Sequence, residues 1–243
     1  MNVRRFYCEK ITQPQTLLSG AEAHHLASVL RLQKGCSVEL FDGKGSVASA
    51  IIEDFRNRQV LLTVVEQKTF PQRTAGRIII AVSVAKADRF GWLVEKCSEL
   101  GIDRISPVLF DRTVKTAAGP QTIQRWHRLA VSAAKQSGRY FLPIIDSPAS
   151  LADILDKLRI EFPSADILLG SPSPDALPII QYPFSRRDYL VFVGPEGGLT
   201  GDETELLQKH SAKTVRLTDN ILRVETAAFA FASVLTALRD GLR

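Results

Sequence analysis

From residue 77 to the end of the chain, short apolar runs alternate with stretches of helical periodicity, and this alternation narrows the possible folds more than any other feature. Arg77 to Val84 reads as a buried strand, Asp88 to Leu100 as a helix closed by Gly101, Arg104 to Val108 as a strand, and Gln121 to Gln136 as an Ala- and Arg-rich helix. The order continues with helix Leu151 to Ile160, strands Asp166 to Leu169 and Tyr189 to Val193, helix Thr200 to His210, strand Thr214 to Leu217, and a last helix from about Glu225 to Arg239. Strands that are separated by helices rather than by tight turns predict a mostly parallel sheet with both faces covered.

Upstream the pattern differs. Ser37 to Phe41, Val47 to Ile52 and Val60 to Val65 are rich in Val, Ile and Leu and are punctuated by turn chemistry such as Asp42-Gly43-Lys44-Gly45, which predicts a small antiparallel β-module. Ahead of it, His25, Val29 and Leu32 stand at near-helical spacing and predict one short helix over Ala21 to Leu32. Polar residues, Pro71 and Gly76 break both periodicities between Phe70 and Gly76. The expected division is a domain over 1–72 and a second over 73–243.

A chain of 243 residues with 45% hydrophobic and 23% charged content can bury a sizeable core. Cys8, Cys36 and Cys97 form no Cys-x-x-Cys pair, and His24-His25 are adjacent rather than helically spaced, so no metal site is expected. The apolar runs are far shorter than a membrane span, and MNVRRFYCEK lacks the apolar region of a signal peptide, so a cytoplasmic protein is expected. The net charge of +5 is unevenly distributed. Residues 1–72 carry nine Lys/Arg against seven Asp/Glu, residues 73–143 twelve against five, and residues 144–243 ten against fourteen. A basic excess concentrated in the middle segment fits a polyanionic partner, and solvated helix faces would produce it too.

The stretch VFVGPEGGLTGDE, residues 191–203, is a buried strand ending in Gly194-Pro195-Glu196-Gly197-Gly198, followed by the capping box Thr200-Gly201-Asp202-Glu203. A loop leaving the carboxyl end of a parallel strand is where α/β proteins hold ligands. The stretch contains no phosphate-binding or dinucleotide fingerprint, and Glu196 would oppose an anion. The loop either shapes a turn or holds a ligand with a flat base and a positive centre, and S-adenosylmethionine is one such ligand. Downstream, LTDNILRVETAAFAFASVL, residues 217–235, repeats the arrangement of strand end, polar turn and helix, and Ala227, Ala228, Ala230 and Ala232 leave room for close approach.

Taken together, RRFY at 4–7, HHLASVLR at 24–31, FDG at 41–43, KADRFGWLVEKCSELGI at 86–102, RW at 125–126, AAKQSGR at 133–139, VGPEGGLTGDE at 193–203 and ILRVETAA at 221–228 closely resemble the RsmE family along the whole chain. These are bacterial methyltransferases that act on N3 of a uridine in small-subunit ribosomal RNA. The resemblance implies an N-terminal PUA-like β-barrel for RNA and a SPOUT α/β methyltransferase domain with a trefoil knot, acting as a homodimer on 16S ribosomal RNA or the small ribosomal subunit.

It also implies that S-adenosylmethionine is held by Leu169, Gly170, Gly194, Pro195, Glu196, Gly197, Gly198, Leu217, Ile221, Leu222 and Arg223. Arg4, Arg5, Arg31, Lys86, Arg112 and Arg139 are the expected RNA contacts. Thr218 and Asn220 depart from the family pattern, which has Gly and Arg at those places. Uridine N3 becomes nucleophilic once its proton leaves and charge spreads onto two carbonyl oxygens, so Arg223 is the candidate catalytic cation. A salt bridge to Glu225 or phosphate positioning is the competing role for it. Competing functions are an RNA-binding or ribosome-assembly protein with a vestigial donor pocket, and a related methyltransferase with a different target nucleotide.

Overall fold

A computed structural model describes residues 4–85, 87–113 and 119–241. The chain divides into two compact units: Met1–Gln72 with Ala134–Leu142, and Arg73–Ala133 with Pro143–Arg243.

The first unit is built on β1 (Arg4–Tyr7), β2 (Gln15–Leu18), α1 (Gly20–His24), β3 (Ser37–Phe41), β4 (Ser46–Arg56) and β5 (Gln59–Thr69). The strands form one sheet in the order β1-β3-β4-β5-β2. β4 pairs antiparallel with β3 and β5, as the turn chemistry requires, and β2 pairs antiparallel with β5. β1 instead runs parallel to β3. Phe6, Leu26, Val38, Leu40, Ile52 and Leu62 fill its core. The expected helix over Ala21 to Leu32 is shorter, because α1 passes at His25 into a single π-helical stretch ending at Val29. β1 and β2 have four residues each, too few to show a period in the sequence.

The second unit contains β6 (Ile78–Ser83), α2 (Ala87–Leu100), β7 (Arg104–Leu109), α3 (Pro120–Ser137, whose last turn belongs to the first unit), β8 (Ile144–Ile145), β9 (Ala149–Ser150), α4 (Leu151–Glu161), β10 (Asp166–Gly170), β11 (Leu177–Pro178), β12 (Tyr189–Val193), α5 (Gly201–Lys209), β13 (Lys213–Arg216) and α6 (Val224–Gly241). The parallel sheet has the order β11-β13-β10-β12-β6-β7-β8, with β9 also on β7. Alternate side chains of each strand feed two separate cores. Ile78, Ile80, Val82, Val191 and Val193 pack with Phe90, Trp126 and Phe231, whereas Ile79, Ala81, Leu190 and Phe192 pack with Leu155, Leu158 and Leu207. Helices α2, α3 and α6 therefore cover one face and α4 and α5 the other, which is the α/β arrangement expected from the sequence.

The chain leaves β12, forms α5, and returns as β13 on the far side of β10. That crossing brings the loops at the carboxyl ends of β10, β12 and β13 together, and they build the site.

Candidate functional site

Three loops enclose a cavity of about 340 Å³. Leu169 to Pro172 enter from β10, Val193 to Glu196 with Gly198 and Leu199 from β12, and Leu217, Thr218 and Asn220 to Leu222 from β13. Val224, Ala227 and Phe231 of α6, with Thr204 of α5 and Thr214 of β13, complete the wall. Two glycines matter here for separate reasons. A Cβ on Gly170 would stand 2.6 Å from the buried ring of Phe231, so only Gly lets the β10 loop lie against α6. Gly198 has φ +73°, a left-handed conformation that closes the turn with a Gly198 N–H to Pro195 carbonyl bond of 2.9 Å.

The β12 loop is fixed from below by the capping box. Thr200 N donates to Glu203 Oε2 at 2.8 Å and Glu203 N donates to Thr200 Oγ1 at 3.3 Å. Glu203 is buried, and its other oxygen accepts from Asp111 N at 2.8 Å, so the end of β7 and the start of α5 share one carboxylate. Arg112 adds a second tie, donating from Nη1 to the Gly197 carbonyl at 2.7 Å.

Among the described residues the cavity's lining contains no Lys, Arg or His, and Glu196 is its one charged side chain. A phosphate would find no countercharge there, whereas a cationic group would be favoured. The apolar walls and the loop backbone suit a flat base. Thr218 and Asn220 are part of the lining, and Asn220 N and Nδ2 both donate to Thr218 Oγ1 at 3.4 Å, a local turn that orders the loop.

Of the sequence-expected donor residues, Leu169, Gly170, Gly194, Pro195, Glu196, Gly198, Leu217, Ile221 and Leu222 lie together in the lining. Gly197 faces Arg112 instead. Arg223 is exposed, between the lining residues Leu222 and Val224, and its carbonyl caps α6 by accepting from Ala227 N at 2.8 Å. Phe231 was missed in the sequence, although it lies one helical turn beyond Ala227. Glu225 is also buried; Arg89 Nε is 3.9 Å from its Oε1, and its Oε2 has no hydrogen-bond partner among the described residues.

The expected RNA residues do not share one environment. Arg4 and Arg31 are exposed. Arg5 is half-buried, with its side chain largely covered: it donates to the carbonyls of Ala134 at 3.1 Å and Arg139 at 2.6 Å, pairs with Glu39 at 2.9 Å and lies 4.2 Å over the Phe41 ring. Arg139 is half-buried, and its Nε donates to the Phe141 carbonyl at 3.4 Å. Lys86 lies outside the described residues. No group of three or more His, Cys, Asp or Glu among the described residues could hold a metal, and no described helix is long and apolar enough to cross a membrane.

A parallel sheet whose carboxyl-end loops converge on a cavity defines an α/β ligand-binding protein, and the family comparisons narrow the class to RNA methyltransferases. An RNA methyltransferase domain model matches residues 72–236 and an RNA methyltransferase PUA domain model matches residues 18–65. A ribosomal RNA small subunit methyltransferase E from Synechocystis sp. is 30% identical over 238 residues, covering 96% of this chain and 76% of that one. The crystal structure of a ribosomal RNA small subunit methyltransferase E from Neisseria gonorrhoeae, bound to S-adenosyl methionine, superposes with a TM-score of 0.83 at 27% identity over 98% of both chains. That of a probable rRNA-methyltransferase from Porphyromonas gingivalis gives 0.88 at 26% identity over 99% of this chain and 100% of that one. The chain belongs to the RNA methyltransferase family that includes the ribosomal RNA small subunit methyltransferases E.

Proposed function

We propose that the protein transfers the methyl group of S-adenosylmethionine to N3 of a uridine in 16S ribosomal RNA of the small subunit. The cavity carries this reading: it is large enough for a nucleoside, has a single carboxylate and no cation, and is walled by loop backbone and apolar side chains. The donor-bound relative from Neisseria gonorrhoeae supports the same ligand. When bound, S-adenosylmethionine supplies an electrophilic methyl group on a positively charged sulfur.

The chain's own residues do the rest. The β10, β12 and β13 loops offer backbone N–H and C=O groups to the adenine edge, Glu196 favours positive charge, and Phe231 and Val224 exclude water. Arg223 follows directly on the lining residues Ile221 and Leu222. Its guanidinium stabilises the charge that spreads over the uracil oxygens once N3 loses its proton. The target base is unpaired when it reacts, because N3 otherwise takes part in base pairing.

Residues 1–72 act as the PUA-like RNA-positioning domain and residues 73–243 as the methyl-transfer domain. Arg4, Arg31 and Lys86 contact RNA, Arg5 and Arg139 brace the fold of the first unit, and Arg112 holds the donor loop. The protein works in the cytoplasm as a homodimer. Support for the dimer comes from Trp92, 42% exposed and packed edge-on against Phe229 at 5.0 Å, which leaves apolar surface where α2 meets α6. Sedimentation at micromolar concentration gives a dimer on this reading, and a monomer that still methylates RNA refutes it.

The competing reading, an RNA-binding protein with a vestigial donor pocket, is kept by Thr218 and Asn220. Calorimetric titration with S-adenosylmethionine separates the two. Saturable binding to the parent, lost in Gly170→Val, supports the enzyme; absence of binding to a folded parent supports the vestigial pocket.

A further inference from the structure

The β4–β5 hairpin of the first unit borders a second cavity, of about 850 Å³, that shares no lining residue with the first. Its walls include His24, Ser28, Phe55, Arg56, Asn57 and Arg58, and no Asp or Glu is among the lining residues. Arg56 pairs with Asp54 at 2.9 Å, but both side chains are about half exposed or more, so water weakens the pair and Arg56 is available. Arg58 makes no ion pair among the described residues. Phe55 is 41% exposed on the same turn, an apolar ring left facing the cavity's surroundings rather than the core.

The backbone gives an independent observation. Asn57 and Arg58 have φ of 38° and 66°. Two-residue hairpin turns with both central residues left-handed favour Asn followed by Gly. This turn carries Arg at the position where Gly would be unstrained. Strain of this kind collects where a side chain is used.

We propose that this cavity holds one nucleotide of a single-stranded RNA segment, with its phosphate on Arg58 and His24 and its base against Phe55. The proposal rests on the RNA methyltransferase reading. An arginine beside an exposed aromatic ring is the pairing that tracks backbone charge and stacks bases without regard to sequence. Residues 55–59 are all exposed, so a strand can continue past the turn, which favours a segment of RNA over a free nucleotide.

The informative variant is Arg58→Gly, because it removes the guanidinium while relaxing the backbone. It is expected to raise or preserve the melting temperature, weaken binding to a uridine-containing single-stranded oligoribonucleotide, and reduce the slope of log affinity against log salt by about one unit. Phe55→Ala is expected to weaken the same binding about tenfold. Donor affinity stays at the parent value in both. Parent-like RNA affinity and salt slope in both variants overturn the proposal. So does uridine monophosphate binding as tightly as the oligonucleotide, which would make this a free-nucleotide site. A parent that binds donor but no RNA overturns the RNA methyltransferase reading itself, a result distinguishable from failure at this cavity alone.

Discussion

Arg112 Nη1 donates a 2.7 Å hydrogen bond to the Gly197 carbonyl, and a Cβ on Gly197 would stand 3.3 Å from Arg112 Cβ. The end of β7 is thereby joined to the loop after β12, and Asp111 N bonding to Glu203 at 2.8 Å makes a second joint beside it. The β12 loop is held by two adjacent residues at the end of β7 before any ligand arrives, and ordering a loop in advance lowers the cost of binding.

Arg112→Ala removes one charge-assisted hydrogen bond at an exposed position, which corresponds to about 1 kcal/mol and hence about a fivefold weaker S-adenosylmethionine Kd. Calorimetry reads this directly. If Arg112 acts on RNA alone, donor affinity stays constant while RNA affinity falls.

Arg223→Ala is expected to slow single-turnover methyl transfer by roughly 10²- to 10³-fold, the usual effect of losing one group that stabilises developing charge. Arg223→Lys restores part of the rate, since an ammonium keeps the charge without the planar fork. A normal rate at saturating RNA with weakened RNA affinity would make Arg223 a phosphate contact.

Arg5→Ala is expected to act on stability. The guanidinium is held by two carbonyls, Glu39 and the Phe41 ring, and its loss removes a charge-assisted bond to the Arg139 carbonyl and the packing on Phe41, at a cost of about 2 kcal/mol. Chemical denaturation monitored on the first unit measures it. A fully stable variant with reduced RNA affinity would assign Arg5 to the RNA surface.

The acid limb of stability is set in part by Asp146. Burial opposes its ionisation, but hydrogen bonds from Lys157 at 2.8 Å, Ser106 at 2.6 Å and Arg104 at 2.8 Å outweigh that and hold the carboxyl below its ordinary range. A depressed folded-state pKa contributes stability above the unfolded value, near about pH 4, and loses it as pH falls further. Asp146→Asn should lower stability at neutral pH by about 3 kcal/mol and flatten the decline below pH 4. An unchanged acid limb would show that other carboxylates control it.

Much of this was legible in the sequence where period and punctuation agree. The β12 strand, its glycine loop and the α5 capping box each carry a separate local signal, and all three stand where the residues indicate. The short strands β1, β2, β8, β9 and β11 have two to four residues and no room for a period. The order of the sheet is non-local: nothing near Lys213 says that β13 pairs with β10 rather than β12. The same limit hid the partners of Arg5 and Arg112. A sequence shows that an arginine is present, but whether it faces solvent or a carbonyl 85 or 134 residues away depends on the folded chain.

The central claim is methylation of uridine N3 in small-subunit ribosomal RNA, and nucleoside mass mapping tests it most directly. Ribosomal RNA from cells lacking the protein, incubated with purified protein and S-adenosylmethionine, is digested and compared with untreated RNA. One new 3-methyluridine is expected in 16S RNA, absent when Gly170→Val protein is used. A methyl group on another nucleotide, or none with donor-binding protein present, would contradict it.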